Sequence, residues 1–381
     1  MKCKTQLFSI VLYFSVVFIL VSCGQPKAEW RGAIEEEDGV IVVKNPKEPI
    51  YGPEVFNLEE DLVIMNQEGK EEFMFQDIQN LAVDNEENIY VCDVKASHIR
   101  VFDKNGEYVR TIGKKGQGPG EMVYPIDINL SRGVLIINDI AQRRLNIFSL
   151  NGEHLRNLLI HKYSNFVQPA IDSQGNIIAG FLIREDELKY GLIKFDADLN
   201  PIFTITTYPL LKGTSSTNVQ YFEGSRITNL VWNVNEQDHI IWGHMSKYEL
   251  FVHNPHGKLI KKIVRDYDGI EITSQGKEKL IKEWFGDNPV PSNLNIVFPD
   301  RYPPLIRFSC DEEGRIFVQT YDKTEDGEAD YYDVFDSEGK YIARFSLKYW
   351  AIVWKKQKLY TIEEDEDGFQ VVKRYQVTWK I

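Results

Sequence analysis

Positive charge is scarce in this chain of 381 residues: 44 Lys and Arg stand against 57 Asp and Glu, a formal charge of −13. Proteins that grip nucleic-acid phosphates carry a basic stripe or patch. None is present, so nucleic acid is not an expected partner. Cysteine is also rare, four in all, with no paired-cysteine or Cys/His spacing that would hold a metal. No Gly-x-Ser-x-Gly elbow occurs, and no Walker-type phosphate loop. "GKKGQGPG" at 113–120 lacks the closing Lys-Ser/Thr and follows an outer strand. Long hydrophobic runs are missing as well. The longest, Leu7–Val21, has 15 residues, short of the roughly 20 that span a bilayer.

That run has another use. Lys2 and Lys4 precede it, and it ends in Leu20-Val21-Ser22-Cys23-Gly24, the layout of a secretory signal. The ending resembles the lipobox of bacterial lipoproteins, which implies lipid attachment at Cys23. The expected organisation is a signal peptide over 1–22, a lipidated tether over 23–29 and a globular body over 30–381. The body would then sit close to a membrane without crossing it. Cys3 leaves with the signal and Cys23 would carry lipid, so Cys92 and Cys310 remain as thiols. They fall at unlike places in the pattern described next, and are read as free buried thiols.

What the chain has in plenty is a repeated strand pattern. Over 78–112, Leu81 and Val83, Ile89 and Val91, and Ile99 and Val101 alternate with their neighbours, the period of two that marks strands. Asn105-Gly106 supplies a tight turn, since both residues tolerate positive φ. Asn151-Gly152 repeats that turn between "LNIFSL" and "EHLRNLL". "AIDSQGNIIAG", "HIIWGH" and "FSCDEEGRIFVQTY", each with a following turn-bearing pair, are looser echoes. Four-stranded units recurring every 40–50 residues or so indicate a propeller, because each unit must stack on neighbours to bury both faces. The sixth unit, "WAIVWKK", "KLYTIEE" and "QVVKRYQVTW", has three strands. "GVIVVKN" at 39–45 is the expected fourth, closing the ring and covering an edge. The expected fold is all-β: a six-bladed β-propeller of four-stranded antiparallel blades closed by an N-terminal strand.

The stretch "LAVDNEENIYVCDVKASHIRVFDKNGEYVRTIG" looks like an NHL repeat. The chain from about residue 30 onward resembles the six-bladed β-propeller lipoproteins of Bacteroidetes and related bacteria, with "GKKGQGPGEM" and "FPDRYPPL" as further typical stretches. The resemblance implies a cell-envelope location, lipid-anchored, at the outer membrane on either side. It implies no single activity.

Strand order directs the loops. With strands a to d running outward from the axis, the a–b and c–d turns are short and lie on one face. The long connections Gly113–Met122, Arg184–Lys189, Tyr321–Ala329 and 266–304 lie on the opposite, top face, where binding is expected. The last is an insertion between blades 4 and 5 carrying a helix, capped by Ser274, with Leu280, Ile281, Trp284 and Phe285 on one side and Gly286 and Pro289 as its stop. It packs on the rim or covers the funnel.

At the starts of the innermost strands, Asn80, Asp127, Gln168, Asn229 and Arg307 are candidates to line a central funnel that holds water, a metal or an oxyanion. Tyr124, Phe166, Tyr302 and Trp350 are candidate flat contacts or core. Asp93 and Asp139 end matching b strands and are expected to order their own loops. Acidic runs such as 363–367 read as solvated faces, with calcium as the alternative.

Two functions follow. The first is a non-enzymatic binding module presenting its top face to a glycan, a peptide or a partner protein. The second is a metal-dependent enzyme, since six-bladed propellers include calcium-dependent lactonases and a zinc-dependent amidating lyase. None of the seven histidines begins an innermost strand, which argues against a three-histidine zinc site. Calcium on Asp127 and Asn229 stays open. The binding module, without a required cofactor, is the expected reading.

Overall fold

The computed structural model describes residues 29–131, 133–160, 163–184, 188–209, 218–220, 230–290, 295–349 and 351–380. The expected signal peptide and Cys23 lie outside them, as do Asn229 and Trp350. Blade 1 is Ile78–Val83, Ile89–Asp93, His98–Phe102 and Tyr108–Ile112, paired in that order and antiparallel throughout. Its second strand is buried at every position, whereas most of its outermost strand is exposed. Inner strands are sandwiched between neighbouring blades; outer strands have one face left for solvent. The innermost strands of blades 2 to 5 are Pro125–Ser131, Ser164–Ile171, Leu230–Val234 and Arg307–Cys310, and each opens a sheet of the same order. Blade 6 begins at Ala351–Lys355. Each innermost strand touches the next, and Ala351–Lys355 touches Ile78–Val83. The chain is a six-bladed β-propeller.

One local device writes the repeat. Asp84 Oδ1 accepts from the backbone N–H groups of Glu86 and Asn88, both at 2.9 Å. The same side-chain turn recurs at Asp103, Asp172, Asp196, Asn254, Asp311, Asp336 and Asp365. A short carboxylate or amide that bonds its own chain two and four residues on fixes a tight reversal between strands. Within the acidic run 363–367, Asp365 is therefore engaged by the amides of Asp367 and Phe369. Asp93 and Asp139 order loops as expected: Asp93 accepts from Gln76, Asp77 and Ala96, and Asp139 from Val123, Tyr124 and Gln142.

Ring closure uses a different segment from the one expected. The fourth strand of blade 6 is Phe56–Ile64, antiparallel to Gln370–Trp379. "GVIVVKN" instead supplies Val40–Asn45, which lies parallel to Leu259–Arg265 on the outside of blade 4, with Ala33–Glu37 beyond it in a six-stranded sheet. Glu59–Asp61, an acidic run of the kind read as a solvated face, is exposed on this outer strand. Two of its three charges are matched across the strand pair, Glu60 to Lys373 at 3.0 Å and Asp61 to Arg374 at 2.9 Å. Partnered in this way, carboxylates sit on an outer strand whose Phe56, Leu58, Leu62 and Ile64 pack inward.

The insertion helix, α1, is Ser274–Phe285. Its N-cap is Thr273 rather than Ser274: the Thr273 hydroxyl accepts from the Gly276 N–H at 3.1 Å. Gly286, at φ 61°, ends it, with its N–H bonded to the Lys282 carbonyl. Leu280 is buried, and Gly276 lies so close to Tyr302 that an added Cβ would meet its hydroxyl at 2.5 Å. Tyr302 in turn stacks on Tyr321 of blade 5, with ring centroids 3.9 Å apart. The helix start therefore rests on the rim of blade 5. Cys92 is buried and free; Cys310 is also free but only partly buried.

Candidate functional site

The described funnel candidates converge. Asn80 from blade 1, Asp127 from blade 2, Gln168 from blade 3 and Arg307 from blade 5 line one cavity of about 240 Å³ at the axis, on the side where the a strands begin. Each stands at or near the start of its innermost strand, and the blade geometry turns those starts inward. Asn129, Asn233 and Ser309 join them one step deeper, with Trp232, Phe308 and Tyr332 supplying apolar wall. Asn229 lies outside the described residues. Of the flat aromatics, Tyr124 is exposed, Phe166 is buried in the core between blades 2 and 3, and Tyr302 is spent on Tyr321.

Asp127 organises its side of the funnel. One of its carboxylate oxygens accepts from Asn138 Nδ2 and from the backbone N–H of Gln168, both at 3.2 Å. Burial dominates these two bonds and pushes the carboxyl above its ordinary range. Gln168 itself sits at φ 47°, left-handed for a residue with a side chain, inside the register shift between Val167 and Ala170. Such a conformation costs about 1–3 kcal/mol and persists only where the surroundings hold it. The Asp127 carboxyl is one of the holders. Behind it, Asn138 is wholly buried and bonds the Phe166 carbonyl with the same Nδ2, leaving its Oδ1 without a partner.

A second cavity, of about 590 Å³, opens at the other end of the axis among the a–b turns. Asn129, Ala170 and Asn233 line both, so the two hollows meet along one channel. The sequence reading expected little on this face because its turns are short. Yet six short turns around an axis enclose a vestibule whatever their length. Its charged groups mostly hold blades together. Lys355 of blade 6 reaches Glu312 of blade 5 at 2.8 Å and Glu236 of blade 4 at 3.0 Å. Asp238 of blade 4 accepts from the Ser173 amide of blade 3 at 2.7 Å. Lys356 donates to the Asn85 carbonyl, and Lys358 pairs with Glu87, joining blade 6 to blade 1. The signal for this girdle in the sequence is the acidic residue in the a–b turns of blades 1, 3, 4 and 5 and the lysines in that of blade 6, and only the ring reveals which blade each faces.

Among the described residues, no three His, Cys, Asp or Glu side chains come together as cation ligands. Of those lining the funnel, Asp127 is the only carboxylate. Calcium takes six to eight oxygens and favours ionised carboxylates. A single carboxyl held toward its neutral form, with a guanidinium lining the same cavity, is a poor match.

The family described as 6-bladed beta-propeller (DUF5128) matches residues 61–223. An exported protein of Bacteroides fragilis has a solved structure that superposes with TM-score 0.56 at 13% identity, over 89% of this chain and all of the other. A DUF4221-family member from Bacteroides vulgatus does so with TM-score 0.53 at 13% identity, over 86% and 99%. The likeness to both is one of fold. A gluconolactonase of Xanthomonas campestris is more distant, with TM-score 0.44 at 11% identity over 78% and 85%, and carries no argument about activity. No curated protein sequence matches the chain.

Proposed function

We propose that this chain is a non-enzymatic binding module of the cell envelope, anchored to a membrane through lipid on Cys23. Its top-face funnel takes the ligand: a glycan, a peptide or part of a partner protein. The observation that carries this reading is the convergence of Asn80, Asp127, Gln168 and Arg307, from four different blades, on one cavity. Rigid strands place these groups, as in sites built on a fixed scaffold. The basic start, short apolar run and Leu-Val-Ser-Cys ending support the location. The exported Bacteroides protein of the same fold is in keeping with it.

Metal-dependent catalysis of the lactonase or lyase kind is the weaker reading. It would have to draw on Asp127, the one carboxylate lining the described funnel, whose pKa burial raises above its ordinary range.

Calorimetry on ligands drawn from a glycan and peptide array tests the proposal. Asp127 and Arg307 together replaced by Ala should weaken binding by about 1–3 kcal/mol, the scale of hydrogen bonds to charged groups. Replacing Lys104 and Glu153, at c–d turns on the far face, should leave it unchanged. The opposite pattern would place the site elsewhere. Cys23→Ala should release the folded protein from membranes; a variant that still pellets and resists salt washing would refute the anchor.

A further inference from the structure

We infer that the funnel is built for a neutral saccharide inserted end-on, one ring at the mouth and the channel continuing beneath it. The inference deepens the binding-module reading and rests on it.

The chemistry of the wall argues for this class. Amide side chains come from blades 1 to 4: Asn80, Asn129, Gln168 and Asn233. Each amide offers both donors and an acceptor. A ring of such groups around an axis matches a ligand whose hydroxyls, themselves donors and acceptors, radiate from a compact ring. Trp232, Phe308 and Tyr332 back the cavity as core side chains less than a tenth exposed, so the apolar surface they offer is small and matches the scattered C–H groups of a sugar.

Charge argues against the alternatives. A phosphorylated or polyanionic ligand needs several cations, and Arg307 is the only Lys or Arg among the described funnel residues. A cationic ligand needs ionised carboxylates. Asp127 stands alone there, half-buried, and is already bonded to Asn138 and the Gln168 amide. A peptide chain would need alternating apolar pockets for its side chains, and the amide-rich collar offers few.

Size and continuity complete the argument. The mouth, at about 240 Å³, falls just below the roughly 300–1,000 Å³ range of pockets that enclose drug-sized ligands. That suits a single ring and leaves the rest of a chain outside or further down. Asn129, Ala170 and Asn233 carry the wall on into the 590 Å³ vestibule.

The test uses the mature chain and three arms: neutral trisaccharides (maltotriose, cellotriose, mannotriose, xylotriose), tri-galacturonate, and neutral and charged tripeptides. At least one neutral trisaccharide should bind saturably. Asn80→Ala and Asn233→Ala should each weaken it about tenfold, the scale of one lost hydrogen bond. Asp127→Asn should keep affinity within about threefold, because the amide oxygen it leaves still accepts from a hydroxyl as the carboxyl oxygen did. Binding confined to tri-galacturonate or a tripeptide, and weakened by the Asp127/Arg307 pair, would overturn the saccharide class while leaving the binding module standing. Trisaccharide binding indifferent to Asn80→Ala and Asn233→Ala would overturn the site. Circular dichroism on each variant separates lost contacts from lost fold.

Discussion

The side-chain oxygen of Asn45 accepts a hydrogen bond from the backbone N–H of Tyr341 at 2.7 Å, across 296 residues of chain. The same oxygen takes the indole N–H of Trp30 at 3.0 Å, and Asn45 Nδ2 donates to the Gly339 carbonyl at 2.9 Å and the Val264 carbonyl at 3.2 Å. One buried amide thus ties the N-terminal strap to the outer strand of blade 4 and to the last turn of blade 5. Asn45→Ala is expected to cost about 1–3 kcal/mol, because it leaves the buried amide of Tyr341 without its acceptor. Urea denaturation measures it. A change within about 0.5 kcal/mol, the range of ordinary surface substitutions, would show that the latch is redundant.

Two truncations separate the strap from the closing strand. A chain lacking residues 30–45 should fold and remain monomeric with a lowered melting temperature, since the ring still closes through Phe56–Ile64. Removing residues 30–64 should cause aggregation, because it bares the edge of Gln370–Trp379 and the apolar faces packed under Phe56, Leu58 and Ile64. Size-exclusion chromatography and thermal melts distinguish them. Equal behaviour of the two would contradict this division of labour.

Asp333 is completely buried between blades 4 and 5. It accepts from Arg265 at 2.8 Å and from the hydroxyls of Tyr341, also at 2.8 Å, and Tyr248. Burial, with the Asp333 charge adding to it, holds both phenols protonated far above their ordinary range. Asp333→Ala should cost about 3–5 kcal/mol, since the Arg265 guanidinium stays buried without its carboxylate. Asp333→Ala together with Arg265→Met should recover part of the loss. A double variant no more stable than the single one would show that the charges are not coupled.

His244 sets an acid limit. It is buried against Tyr208, with ring centroids 3.8 Å apart, and its Nδ1 accepts the Ser246 N–H at 3.2 Å. Burial first, and repulsion from Lys247 second, lower its pKa to about 4. The unfolded chain takes up this proton near pH 6.5, and the folded one only near 4. Stability from this group is therefore complete above about 6.5 and is lost as pH falls through that window, by about 2–3 kcal/mol in all. His244→Gln should flatten the stability profile between pH 6.5 and 4. An unchanged slope would assign the acid sensitivity to other groups.

The repeat was readable because its causes are local. Alternation at Leu81–Val83 and Ile89–Val91 needs only neighbouring residues, and an Asp or Asn turn bonds its own chain within four positions. Those signals sufficed for blade number, strand order and the inward-facing starts that carry Asn80, Asp127, Gln168 and Arg307. The closing strand was not readable in this way. Phe56–Ile64 and Val40–Asn45 are both apolar enough to pair, and the choice turns on Lys373 and Arg374, more than 300 residues away, meeting Glu60 and Asp61. The a–b vestibule, the Lys355 girdle and the strained backbone of Gln168 belong to the same kind. Each depends on which side chain of another blade stands opposite once the ring has closed, and sequence distance carries no record of that. Local chemistry determined the fold's units; the closed ring alone decided which units meet and where the channel opens.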